Sequence, residues 1–244
     1  MIDNPVVLVT GAARRVGAEI ARALHAAGAR VVLHYRSHSA EEVARSLNEA
    51  RPDSAFCIQG DLRDCDRLPA LVETAVGRWG RLDALVNNAS SFFATPVGSI
   101  DELAWDDLIG SNLKGPLFLS QAVAPRLKAT QGVIVNITDI HAEHPLKNYP
   151  LYSITKAGLL GLTRALALEL APEVRVNAVA PGPIEWPEGN DFNASARAEI
   201  ISHTLLKRKG QPSDVACAVR FLLFDAPFVT GQVINVDGGR SAHL

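Results

Sequence analysis

The chain has 244 residues, 48% hydrophobic and 20% charged, and 24 basic against 26 acidic residues leave a net charge of -2. That length suits one α/β domain with a sizeable core and leaves little room for two. The composition excludes disorder or coiled coil as the main state, and the charge balance offers nothing to nucleic acid or an anionic membrane.

Along the chain, Pro5–Val9 reads PVVLV and stops at Thr10-Gly11, which predicts a short strand buried on both faces. Arg15–Ala27 carries Val16, Ile20, Ala23 and Leu24 at helical spacing and ends at Gly28. Val31–Leu33 is the second strand. Helix is then expected over Ala40–Ala50, strand over Ala55–Ile58, helix over Asp66–Arg78 and strand over Leu82–Val86. A long helix over Glu102–Lys128, a strand over Val133–Ile137, a helix over Tyr152–Leu170 and a strand over Val174–Ala178 follow. The tail adds a helix over Ser213–Leu223 and a strand over Val233–Val236. Strict alternation means right-handed crossovers, so the expected fold is a single-domain, Rossmann-type, doubly wound parallel sheet with helices on both faces. Pro181–Ala194 lacks periodicity and opens an expected substrate loop over about 181–210. Cys57, Cys65 and Cys217 are the only cysteines, with no CxxC pair, which fits a reducing, cytoplasmic setting. The N-terminus lacks the pattern of a signal peptide, and no apolar run approaches the ~20 residues of a membrane span.

The first strand–helix turn, Thr10-Gly11-Ala12-Ala13-Arg14-Arg15-Val16-Gly17, is built of small residues that let backbone N–H groups approach a pyrophosphate at a helix N-terminus. The second strand ends in His34-Tyr35-Arg36-Ser37, with no Asp or Glu between Glu19 and Glu41. An NAD site wants a carboxylate there. Arg36 and Ser37, helped by Arg14, suit a 2′-phosphate, so the expected cofactor is NADP(H). Asp61-Leu62 can hold the adenine amine, and Asn87-Asn88-Ala89 can line the cofactor. Tyr152 and Lys156 are four apart on one helical face, an arrangement expected to lower the tyrosine pKa for proton transfer. His141 and His144 lack an evident third ligand, and no metal site is expected.

TGAARRVG, GDL at 60–62, NNA at 87–89, Asn112, YSITK, Pro181-Gly182 and VDGG at 236–239 together resemble the short-chain dehydrogenase/reductase family over the whole chain. The resemblance implies seven strands, an Asn112–Tyr152–Lys156 proton relay and a homotetramer. Arg15 stands where the family usually has glycine, and Asp139 where it has a serine, thirteen residues before the tyrosine. A serine donates to a carbonyl oxygen, whereas an ionised aspartate only accepts, so the substrate atom it faces is expected to carry a proton. Thr138 is one residue out of phase. Phe92 and Phe93 follow the fourth strand, where a ring can stack a flat heterocycle.

TGAARRVG, HYRS, NNASSFF and the aspartate together resemble the pteridine reductases. That implies NADPH-dependent reduction of dihydropteridines or dihydrofolate, with Asp139, Tyr152 and Lys156 catalytic. It implies Arg15 and Ser90 at cofactor and pterin, and Phe92 as the stacking ring. Thr138, Pro181, Gly182 and Ile184 are expected on the cofactor side, and Pro183 and Trp186 on the substrate side. Tyr152 or an ordered water supplies the proton. The alternatives are a carbonyl or 3-oxoacyl reductase and a non-enzymatic NADP(H) sensor.

Overall fold

The computed structural model describes residues 4–187 and 192–242. Seven strands run β1 (Val6–Val9), β2 (Arg30–Tyr35), β3 (Ala55–Gln59), β4 (Ala84–Asn87), β5 (Val133–Ile137), β6 (Arg175–Pro181) and β7 (Val233–Val236). All neighbours pair in parallel, in the order β3-β2-β1-β4-β5-β6-β7. This is the doubly wound, Rossmann-type sheet expected from the alternating pattern. The winding reverses between β1 and β4, so a crevice opens beyond their carboxyl ends.

The strands are apolar on both faces because both are covered. Val7, Val9, Val31 and Leu33 share one core with α1 (Arg15–Ala26), α2 (Glu41–Ala50) and α8 (Pro212–Arg220). Val6, Leu8, Val32 and Leu85 share the other with α3 (Leu68–Gly77), α5 (Gly115–Thr130) and α6 (Pro150–Leu170). Each fully buried Leu, Ile or Val contributes about 1.5–3 kcal/mol by leaving water.

Three differences from the sequence pattern bear on the site. The long helix is α4 (Glu102–Ile109) joined to α5 by a π turn at Gly110–Lys114, which contains Asn112. The last strand before the substrate loop runs on to Pro181 rather than stopping at Ala178. The 181–210 segment is not all loop, because α7 (Ala194–Ser202) forms within it, capped by Asn193 Oδ1 accepting from the Ala196 N–H at 2.9 Å. Residues 188–191 of that loop lie outside the described residues. Smaller shifts occur elsewhere. The third helix starts as a 3-10 turn at Cys65–Arg67, and the last helix ends at Arg220 in a π turn over Phe221–Asp225.

Candidate active site

A cavity of about 700 Å³ fills the crevice. Its floor is the phosphate-loop turn. Gly11 has φ +63°, where a side chain is strained, and a Cβ on Gly17 would stand 2.2 Å from the Gly11 carbonyl oxygen, which excludes one there. Side chains from neighbouring strands hold this turn. Thr10 Oγ1 accepts from the Asn88 and Ala89 N–H groups at 2.9 and 3.0 Å, and Asn88 Nδ2 donates to the carbonyls of Thr10 and Gly11 at 2.8 and 3.2 Å.

His34 is buried beside the turn, its Nδ1 3.4 Å from the Gly11 nitrogen and its Nε2 3.1 Å from the Gly60 carbonyl. Burial pushes its pKa down to about 4, so the ring is neutral, accepting at Nδ1 and donating at Nε2. His34 lines the cavity, but both ring nitrogens serve the scaffold.

Arg36 and Ser37 lie at the end of β2 on the cavity wall with Tyr35 and Arg14. The Arg36 side chain is about half exposed, and its guanidinium is 3.8 Å from the Asp107 carboxylate. Asp61 and Leu62 also line the wall. The Asp61 carboxylate is gripped by Arg63 at 2.6–3.1 Å, which holds its pKa below the usual carboxylate range. Held ionised in this way, the carboxylate keeps acceptor sites for a donor such as the adenine amine.

The reactive end is assembled by β5, the segment after it and the first turns of α6. Tyr152 Oη donates to Asp139 Oδ2 at 2.7 Å, and Asp139 Oδ1 accepts from the His141 N–H at 2.8 Å. Lys156 Nζ donates to the Ile137 carbonyl at 3.0 Å and lies 5.6 Å from the Tyr152 ring centre. The expectation that lysine lowers the tyrosine pKa is overturned. Burial first, and the Asp139 carboxylate second, raise Tyr152 well above the usual tyrosine value. Burial also pushes Lys156 down to about 8. The tyrosine is therefore held protonated, with its hydroxyl on a carboxylate.

Asn112 does not line the cavity, although Ser111 beside it does. Its side chain clamps Ser91, accepting from the backbone N–H at 2.8 Å and donating to the carbonyl at 2.9 Å, and reaches Thr155 at 3.2 Å. Among the described residues no hydrogen bond joins its side chain to Tyr152 or Lys156. Thr138 cannot replace a serine, since its buried hydroxyl donates to the Val179 carbonyl at 3.1 Å.

Phe92 lines the cavity, with one face stacked on Tyr149 (4.7 Å, 17°) and a T-shaped contact with Tyr152 (4.7 Å, 88°). Phe93 joins the apolar cluster of Leu108, Tyr149 and Leu151 and is not among the cavity-lining residues. Ala89, Ser90, Asn88, Pro181, Gly182, Pro183, Ile184 and Trp186 all reach the cavity as expected. Arg15 adopts φ +53°, the region where a glycine is at ease, at a cost of roughly 1–2 kcal/mol. Its side chain crosses the opening to Glu185.

Sequence reasoning missed Glu185 as a partner of Arg15, and also Phe192, Ile200 and Arg240 on the wall. Phe192 and Ile200 arrive with α7, whose only sequence signal is the Asn193 cap. Among the described residues no group of three or more His, Cys, Asp or Glu is placed to hold a metal, and no helix is long and apolar enough to cross a membrane.

The family model described as enoyl-(acyl carrier protein) reductase matches residues 11–241. Pteridine reductase 1 of Leishmania tarentolae is 38% identical over 97% of this chain and 96% of its own. The 3-oxoacyl-(acyl-carrier-protein) reductase of Staphylococcus aureus strain Mu50 is 36% identical over 95% of this chain and 96% of its own. A solved structure of a candidate short-chain alcohol dehydrogenase from Sinorhizobium meliloti 1021 superposes with a TM-score of 0.94 at 33% identity, covering 100% of this chain and 98% of that one. With fold, site architecture and nearly full-length similarity in agreement, the chain belongs to the short-chain dehydrogenase/reductase family.

Proposed function

We propose that this oxidoreductase reduces pteridines with NADPH, taking a dihydropteridine, dihydrobiopterin or dihydrofolate to the tetrahydro form. The observation that carries the reading is the Tyr152–Asp139 hydrogen bond of 2.7 Å. A carboxylate stands where a carbonyl reductase needs a hydroxyl donor. It suits a heterocycle bearing N–H groups and repels an electron-rich ketone oxygen.

The residues present fit the dinucleotide. The Gly11–Gly17 cradle would be filled by a Cβ, and Arg36 and Ser37 stand at the end of β2 with no carboxylate of that strand beside them. The chemistry the dinucleotide would supply when bound is a hydride from its reduced nicotinamide. Lys156 holds the ribose side of the cavity. Asp139 receives substrate N–H groups and orients the Tyr152 hydroxyl, whose proton goes to the reduced ring directly or through water. Phe92 offers the substrate the ring surface that Tyr149 and Tyr152 leave uncovered. Asn112 acts through Ser91, keeping the segment that carries Phe92 in place.

The rival is 3-oxoacyl reduction, which the Staphylococcus aureus relative supports. Asp139 and the buried Thr138 hydroxyl argue against it. The deciding assay follows oxidation of NADPH and of NADH with dihydrobiopterin, dihydrofolate and a 3-oxoacyl thioester. The pterins with NADPH are expected to turn over fastest. Turnover of the thioester alone would overturn the reading.

A homotetramer belongs to the same proposal, supported by Leu103, Trp105, Leu117 and Phe118 exposed on α4 and α5 and Ile154 on α6. So does a cytoplasmic setting, supported by three free cysteines.

A further inference from the structure

The two loops that bracket the outer end of the cleft are joined by charge. Arg15 Nε donates to Glu185 Oε2 at 3.0 Å, and its NH2 nitrogen donates to the Glu185 and Trp186 carbonyls at 3.4 and 3.2 Å. Three of the five guanidinium donors are thus spent on residues 185–186. The pair sits at the mouth, because the two side chains are 38% and 30% exposed, whereas Tyr152 and Lys156 at the inner end are 5% and 3% exposed. The pair lines the same cleft as Asp139, Tyr152 and Phe92, so a long charged substituent on a ring held there lies within the field of these charges.

We propose that Glu185 determines specificity, favouring uncharged pterins over pterins that carry an anionic tail. This rests on the pterin reading above and names its substrate class. Glu185 occupies the cation that would otherwise receive a tail carboxylate, and it adds a negative charge at the mouth. Arg240 does not take over that role. Its guanidinium donates to the Ile200 carbonyl at 3.0 Å and faces Glu199 and Asp237. Like charges brought together at a partly desolvated mouth discriminate by about tenfold.

The test is calorimetric titration of the NADP+-loaded protein with biopterin, which has no carboxylate, and with folate, which ends in a glutamate. Glu185→Gln is expected to lower the ratio of folate to biopterin dissociation constants about tenfold, and Glu185→Asp to keep the parent ratio. The parent ratio is expected to shrink as salt rises from about 0.05 to about 0.5 M, and the Gln variant's ratio to stay flat. A Gln variant with the parent's ratio overturns the inference while leaving the pterin reading in place. Should that variant fail to fold, a parent ratio insensitive to salt overturns it equally. If neither ligand binds the parent, the pterin reading falls and this inference with it.

Discussion

Tyr152 shares its proton with a carboxylate 2.7 Å away, and that single contact sets the chemistry of the inner cleft. Tyr152→Phe removes only the transferable proton, so kcat for dihydropteridine is expected to fall by about 10²–10⁴. Asp139→Ser should lose most of that activity too, because acceptor and orienting partner go together, and Asp139→Asn tests whether the charge itself matters. Full dihydropteridine turnover in the serine variant would remove Asp139 from the mechanism. Lys156 gives a second handle. With its pKa pushed down to about 8, the ammonium is present below that pH and lost above it. The kcat/KM for NADPH, which reports the free enzyme, should therefore fall above about pH 8, and a flat profile to pH 10 would contradict an ionic role. The Tyr152 to Lys156 spacing and the aspartate thirteen positions upstream were legible in the sequence. The upward shift of the tyrosine was not, because it depends on burial and on where the Asp139 side chain reaches.

Among the elements, alternating apolar runs made every strand visible, while the functional irregularities stayed hidden. A π turn adds no apolar signature, so the helix over 102–128 read as continuous although residues 110–114 turn Asn112 toward Ser91. Such turns concentrate at functional sites. Helix α7 buries none of its residues, so it carries no apolar stripe to read. His34 shows the reverse, a residue placed correctly on the cavity wall whose work is to join β2 to the phosphate-loop turn and to Gly60. Its folded pKa of about 4 lies below the unfolded value of 6.5. Between those values the unfolded chain binds the extra proton, so stability is full above about pH 6.5 and is lost as pH falls toward 4. The loss is on the order of 3 kcal/mol. His34→Gln, which keeps an acceptor and a donor without titrating, should flatten this part of the curve in urea melts. Equal slopes in the two proteins would assign the acid sensitivity elsewhere.

For the molecule as a whole, the reversal of strand order between β1 and β4 gathers residues from more than 200 positions of sequence into one cleft, from Gly11 to Arg240. The apolar residues exposed on α4, α5 and α6 favour self-association, and light scattering is expected to give about four times the 26.1 kDa chain mass. Leu103→Glu should reduce that mass, and a monomeric parent would refute the assembly. The way the phosphate loop is secured has a kinetic corollary. Thr10, His34 and Asn88 tie the turn to the protein's own groups, so the entropy of ordering it is lost largely during folding and not during association. Capture of NADP(H) should then be a one-step encounter. In stopped flow its observed rate should rise linearly with dinucleotide concentration, without the plateau that a loop rearrangement would impose.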